Sequence, residues 1–216
     1  MIQCSGSKAS GAGTFKHDGR RIKFVAYPEL HPPVAATLLC RPDDVMPEGS
    51  STWRQHLVDY NNAGANPDRL LPAARLYSPP AYAQLLRSVG QDNLFVLSAG
   101  WGLVRADYLL PAYDITFAAA AERWQRRSKS RDRYHDFNHL FDAKLAREEV
   151  VYFFGGLDYL SLYYDLSAAI PARKVVYVAA VNVPKAEGFE YIDYGSKGTN
   201  WHYRCVNDFV AGRVPR

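Results

Sequence analysis

Apolar positions along this chain arrive in short β-type runs separated by longer mixed stretches. Five runs predict strands, at residues 2–4, 22–27, 94–98, 150–154 and 175–178. The last three are continuous apolar or β-branched stretches, the pattern of strands buried on both faces. Between the runs lie candidate helices. Ser51 is placed to cap a helix through Trp53, Leu57 and Tyr60. Ser78, followed by Pro79 and Pro80, predicts a helix start leading into residues 81–89. Further helices are predicted over 118–127, 136–147, 158–165 and 200–210, while 34–40 reads equally as strand or helix. Strands alternating with helices predict an α/β fold of three layers, with a mostly parallel central sheet, in one domain over 1–216.

Three predicted strands run straight into polar or glycine-rich turns: Ser5-Gly6-Ser7-Lys8, Ser98-Ala99-Gly100-Trp101-Gly102 and Gly155-Gly156-Leu157-Asp158-Tyr159. If the strands are parallel, all three turns crowd one sheet edge, where open α/β sheets bind ligands. Glycines there let backbone amides approach a ligand closely. Each glycine alone is equally what a tight strand-to-helix turn needs.

Composition narrows the class. The chain has 216 residues, 48% hydrophobic and 22% charged. That is the balance of a folded globular domain and excludes a disordered chain, a collagen or a coiled coil. No apolar run approaches a membrane span, and the first residues carry no signal-peptide pattern. Three widely spaced cysteines (Cys4, Cys40, Cys205) argue against a disulfide framework and for a reducing cytoplasm. The net charge of +4 is unevenly spread. Arg123, Arg126, Arg127, Lys129, Arg131 and Arg133 stand against Asp132 alone, and Lys8, Lys16, Arg20, Arg21 and Lys23 against Asp18 alone. Two basic segments on an otherwise acidic body suggest an anionic partner; a solvated charged loop is the plain alternative.

Several constellations could carry chemistry. In Cys4-Ser5-Gly6-Ser7-Lys8, the small polar residues and the lysine can hold a phosphate, although the Walker spacing is absent. Cys4 has no assignable base partner. Arg41-Pro42-Asp43-Asp44, followed by Arg54, offers paired carboxylates with cationic neighbours. Tyr77-Ser78-Pro79, Trp101 and Tyr113-Asp114 supply flat rings on which a base can stack, with a carboxylate beside one of them. His135 and His139 stand four apart, as zinc-binding pairs on a helix do, but the H-E-x-x-H glutamate and a third ligand are missing. Asn138 lies between them. Thr199-Asn200-Trp201-His202 opens the last helix, with Asn200 and His202 able to bond a base edge or sugar. Asp44 is the first choice of catalytic carboxylate, with Arg41 or Arg54 facing it and Asp43 in solvent, and Asp114 is the second. No metal and no cofactor are expected.

These motifs, in this order over residues 2 to about 203, resemble a bacterial α/β family of unassigned activity marked by Cys-Ser-x-x-Lys, Tyr-Ser-Pro and Leu-Ser-Ala-x-x-Gly-Leu. That family is similar in layout to the uracil-DNA glycosylase superfamily and, more distantly, to the YaaA-like peroxide-stress proteins. One branch consists of anti-phage DNA glycosylases that excise glucosylated hydroxymethylcytosine. The resemblance implies a uracil-DNA glycosylase-like fold and an N-glycosylase that leaves abasic sites in modified phage DNA. The Gly-Gln-Asp-Pro-Tyr and His-Pro-Ser-Pro loops of uracil-DNA glycosylases are absent, so none of their catalytic roles transfers by position.

The residue types fit that chemistry. Breaking a glycosidic C–N bond builds positive charge on the sugar, which a carboxylate stabilises, and aromatic walls hold a flipped base. Asp44 and Asp114 are expected to be catalytic. Ser5, Lys8, Arg41, Tyr77, Ser78, Trp101, Tyr113, Asn138, Asn200 and His202 are expected to line the substrate. Arg123, Arg126, Arg127, Lys129 and Arg131 are expected to hold the DNA backbone. The protein is expected to act as a cytoplasmic monomer on DNA, away from membranes. Two other functions suit parts of the sequence: a nucleoside hydrolase or base transferase, which leaves the basic segments idle, and a non-catalytic nucleic-acid-binding protein, which leaves the turns idle.

Overall fold

The computed structural model describes residues 1–128, 130–179, 182–195 and 198–215. In chain order the strands are β1 (Ile2–Gln3), β2 (Lys16–His17), β3 (Arg20–Val25), β4 (Thr37–Cys40), β5 (Leu71–Pro72), β6 (Phe95–Ser98), β7 (Gly102–Arg105), β8 (Leu109–Leu110), β9 (Tyr113–Asp114), β10 (Phe137–Asn138), β11 (Val150–Phe154), β12 (Arg173–Val178) and β13 (Phe189–Asp193). The helices are α1 (Trp53–Asn62), α2 (Ala73–Leu76), α3 (Pro80–Val89), α4 (His139–Asp142), α5 (Leu157–Ser167) and α6 (Trp201–Val210).

A seven-stranded sheet runs in the order β10-β7-β6-β1-β11-β12-β13. From β6 to β13 every neighbouring pair is parallel, and β7 turns back antiparallel on β6. Both faces are covered. Successive strand residues point to opposite faces, and on β11 Phe153 stacks on Tyr163 of α5 at 4.3 Å while Phe154 meets Phe209 of α6 at 5.1 Å. The α/β expectation is met by this mixed, mostly parallel sheet between helices.

A second sheet was not foreseen. β3 pairs with β2, β4 and β9, so the second predicted strand lies outside the main sheet. Along β3, Ile22 and Phe24 are buried, whereas Arg21 and Lys23 retain exposure. Phe24 seals the second sheet against the first by packing on Trp101 at 5.0 Å and Trp53 at 6.0 Å.

Two predicted helices are absent or shortened. Residues 118–127 form turns, because the Thr116 amide donates to the Gln125 carbonyl, the Arg127 amide donates to the Thr116 carbonyl, and the Trp124 carbonyl accepts from both Ala26 and Tyr27. Only residues 139–142 of the 136–147 stretch are helical. Phe137 and Asn138 instead pair with Gly102 and Leu103. Gly102 permits this: its φ is +87°, and a Cβ there would stand 2.5 Å from the Phe137 carbonyl oxygen. The cap of α1 is Thr52, not Ser51, and its hydroxyl accepts from the Gln55 amide at 3.2 Å. Pro79, not Ser78, precedes α3, with Pro80 in the first turn.

Candidate active site

Adjacent parallel β6, β1 and β11 bring the three turns to one edge. Ile2 is in register with Val96 on one side and Phe154 on the other. Beyond β1, the buried Cys4 sulfur sits 3.2 Å from the Tyr159 hydroxyl and 3.4 Å from the Ala99 amide. Gln3 Oε1 accepts from the Gly156 amide at 2.6 Å. Cys4 therefore joins all three turns as a small packed group.

The Ser98–Gly102 turn is not an open amide cradle. Ser98 Oγ accepts from the Gly100 and Trp101 amides at 3.3 and 3.1 Å. Its carbonyls are held from below by two buried guanidinium groups. Arg54 donates to Gly100 O and Trp101 O, each at 3.1 Å, and Arg127 donates to Ala99 O at 2.9 Å. Arg54 is balanced by Asp43 at 2.5 Å and Arg127 by Asp136 at 2.7 Å. Burial raises the Asp136 pKa, with Arg127 opposing the shift.

With its amides engaged, Ser98 turns its proton outward and donates to the Tyr113 hydroxyl at 2.8 Å. Tyr113 in turn shares a 2.8 Å hydrogen bond with Tyr77. Burial pushes both phenols well above their ordinary pKa, with nearby Cys4 adding to the shift. Lys8 lies across the two rings, its Nζ 4.4 Å from the Tyr113 centroid and 5.0 Å from that of Tyr77, and donates to the Ser5 carbonyl at 2.6 Å. Burial pulls the Lys8 ammonium below its ordinary pKa, while Cys4 and Asp114 pull the other way.

Lys8 opens into a cleft of about 330 Å³ shared with Thr14, Arg21, Lys23, Tyr113 and Asp114. Strand pairing explains the set. Asp114 is in register with Val25, two residues from Lys23, so both side chains share one face. The Lys23 ammonium stands 3.2 Å from the Asp114 carboxylate, which is 38% exposed. Tyr113, one residue earlier, points the opposite way into the Ser98 network. One carboxylate, three cationic side chains and a buried phenol thus meet at the joint between the two sheets.

Arg41 does stand 3.8 Å from Asp44 as expected, but Asp43 is the less exposed of the two aspartates and takes Arg54. Asp43 is 17% exposed and carries Arg54, and its other oxygen accepts from the His135 amide at 3.0 Å. Asp44 is 37% exposed and accepts from the Arg41 amide at 2.7 Å, closing a turn. Arg41 itself is engaged by Glu29 at 2.6 Å and by the Ala26 carbonyl. Asp44 and Arg41 are not among the residues lining the Lys8–Asp114 cleft.

Other expected contacts also move. Trp101 is fully buried against Phe24 and offers no stacking surface. Asn138 caps α4 and donates to the Leu166 carbonyl at 2.7 Å, which is a structural role. Ser5 accepts from the Ser7 amide, and Ser78 is exposed with its amide on the Ser7 carbonyl. Asn200 is exposed at the start of α6, whereas His202 is 4% exposed with neither ring nitrogen partnered among the described residues. Burial lowers its pKa to about 4, so it is a core imidazole rather than a surface donor. Arg127 is buried and cannot reach a phosphate; Arg123, Arg126 and Arg131 are exposed. Lys129 lies outside the described residues. His135 lies in the loop before β10 whereas His139 opens α4, and His139 packs between Tyr108 and Phe137. A larger cleft of about 470 Å³ lies over the Arg127–Asp136 pair, but those two charges already answer each other.

Sequence reasoning missed the grouping of Arg21, Lys23 and Asp114 and the internal roles of Arg54 and Arg127. The alternation in Arg20-Arg21-Ile22-Lys23-Phe24-Val25 was the available signal for the first. No helix among the described residues is long and apolar enough to cross a membrane. No protein-family model, curated protein or solved structure matches this chain.

Proposed function

We propose that the protein is an N-glycosylase that hydrolyses the bond between a modified base and deoxyribose in DNA, with a uracil-DNA glycosylase-like arrangement and glucosylated hydroxymethylcytosine as the substrate implied by its motifs. The observation that carries this reading is the single carboxylate, Asp114, placed in a cationic cleft at the strand ends. In this reading Arg21 and Lys23 take the phosphates flanking the flipped nucleotide, and Asp114 faces the sugar. As the C–N bond lengthens, positive charge grows on the sugar ring and the carboxylate's attraction strengthens. Asp114 also receives the proton of the attacking water. Asp44 has no part in this reading, because its carboxylate closes the Arg41 turn.

Burial of Arg127 removes one expected phosphate contact, and that favours a second reading, a nucleoside or nucleotide hydrolase using the same cleft. One assay separates them: unmodified, hydroxymethylated and glucosylated phage DNA, and the corresponding nucleosides, each scored for free base and abasic sites. Base release from glucosylated DNA is expected, and Asp114→Asn should slow it at least about a hundredfold in single turnover, the scale of one preorganised electrostatic group. Release from nucleosides alone would replace the DNA reading with the second one. Asp114→Asn at wild-type rate would remove the carboxylate mechanism.

A further inference from the structure

We propose that Lys8 is an amine nucleophile that condenses with the sugar aldehyde at an abasic site, giving the protein a lyase step after base removal. The proposal rests on the glycosylase reading for its place in a sequence of reactions, but not for its test.

The geometry selects Lys8 from the groups near the cleft. Cys4 is buried at 2% exposure and is not among the cleft-lining residues. Lys23 is engaged on three sides, with Asp114 at 3.2 Å, His31 at 3.2 Å and the Trp124 ring at 4.6 Å. The guanidinium of Arg21 does not give up a proton. Lys8 lines the cleft, and its one hydrogen bond recorded among the described residues is to a neutral carbonyl. Burial lowers the Lys8 pKa, against the pull of Cys4 and Asp114, and desolvation of this kind enlarges the share of free, nucleophilic amine. The Tyr77 and Tyr113 rings fix its side chain from beneath, and Asp114 lines the same cleft as a proton acceptor.

The step balances without an added reactant. The Lys8 ammonium passes one proton to Asp114, and its amine attacks the aldehyde carbon of the ring-opened deoxyribose. The aldehyde oxygen takes one proton from the amine and that one from Asp114 and leaves as water, forming a protonated imine and returning Asp114 to its carboxylate. Asp114 removes a proton from the adjacent sugar carbon. The freed electron pair makes a carbon–carbon double bond, and the bond to the 3′ oxygen breaks, so the phosphate leaves with its electron pair. Water then hydrolyses the imine and restores the lysine.

The test uses a duplex carrying one synthetic abasic deoxyribose, so it does not depend on base release. Borohydride reduces an imine to a stable amine, and a covalent protein–DNA adduct is expected with the wild-type chain. Peptide mapping should place the adduct on Lys8. Lys8→Met, checked by thermal melt, should abolish it, while the distant Lys185→Met should not. No adduct, or an adduct mapped to another residue, overturns the proposal; mapping on the wild-type chain decides this even if Lys8→Met fails to fold. Base release from modified DNA with no adduct leaves the glycosylase reading standing without the lyase. An adduct at Lys8 with no base release from any modified DNA supports the imine and overturns the glycosylase reading.

Discussion

His202 makes stability depend on pH in a calculable way. Its ring is 4% exposed, with neither nitrogen partnered among the described residues, and burial lowers its pKa from the ordinary 6.5 to about 4. The unfolded chain therefore takes up a proton near pH 6.5, while the folded chain does so only near pH 4. Between those values the unfolded state binds more protons, so stability is complete above about pH 6.5 and is lost as the pH falls. At 1.36 kcal/mol per pH unit the loss from this ring is about 2 kcal/mol by pH 5 and about 3 kcal/mol by pH 4. In a chain of this size, 2 kcal/mol is roughly 4–8 °C in melting temperature. His202→Leu removes the titration and the two unpartnered nitrogens together. The assay is urea unfolding of both proteins at pH 7 and pH 5. The drop between the two pH values should be about 2 kcal/mol smaller in the variant, whatever other groups contribute. Equal drops, within about 0.5 kcal/mol, the tolerance for independent sites, would mean that the ring is hydrated or partnered in solution. That would restore His202 as a candidate ligand contact.

Arg54→Met leaves Asp43 half-buried without its partner and removes both bonds to the turn carbonyls; it should cost about 3–5 kcal/mol in urea unfolding, and a cost under about 1 kcal/mol would contradict that role. Gly102→Ala should cost more in urea unfolding than the about 1–3 kcal/mol of positive-φ strain alone, because the added methyl also meets the Phe137 backbone at 2.5 Å; a cost under about 1 kcal/mol would contradict the close approach of β10. Replacing Arg123, Arg126 and Arg131 together with Gln should flatten the salt dependence of DNA binding by roughly one unit of slope per lost phosphate contact. An unchanged slope in a filter-binding titration removes the segment from the interface.

The strands that were legible in the sequence are those whose burial is nearly complete. Residues 150–154 and 175–178 are apolar or β-branched throughout, with α5 packed on Phe153 and α6 on Phe154 and Tyr177, and such runs resemble little else. β7, β10 and β13 went unseen for a different reason. β7 and β10 exist through a glycine that lets one backbone approach another, and β13, at the sheet edge, has only half-exposed and exposed positions. The candidate site was legible in its motifs and not in its grouping. Lys8, Tyr77, Tyr113 and Asp114 were all singled out, but their meeting depends on β3 leaving the main sheet to pair with β9, a long-range choice that no local pattern records.

Charge counting failed where it treated all arginines alike. Arg54 and Arg127 face inward because a hairpin turn whose amides are satisfied by Ser98 still has three carbonyls to satisfy, and a guanidinium can donate several bonds in a plane. Arg21 and Lys23 face outward because strand alternation sets them opposite Ile22 and Phe24. The inward pair also acts on the cleft. Arg54 and Arg127 fix the turn, the turn fixes Ser98, Ser98 holds the Tyr113 hydroxyl, and the Tyr113 ring supports Lys8 at the cleft. Loosening either arginine should therefore disturb the cleft through the orientation of Tyr113, even though neither guanidinium lines it. The candidate chemistry and the stability of the hairpin rest on one continuous set of hydrogen bonds.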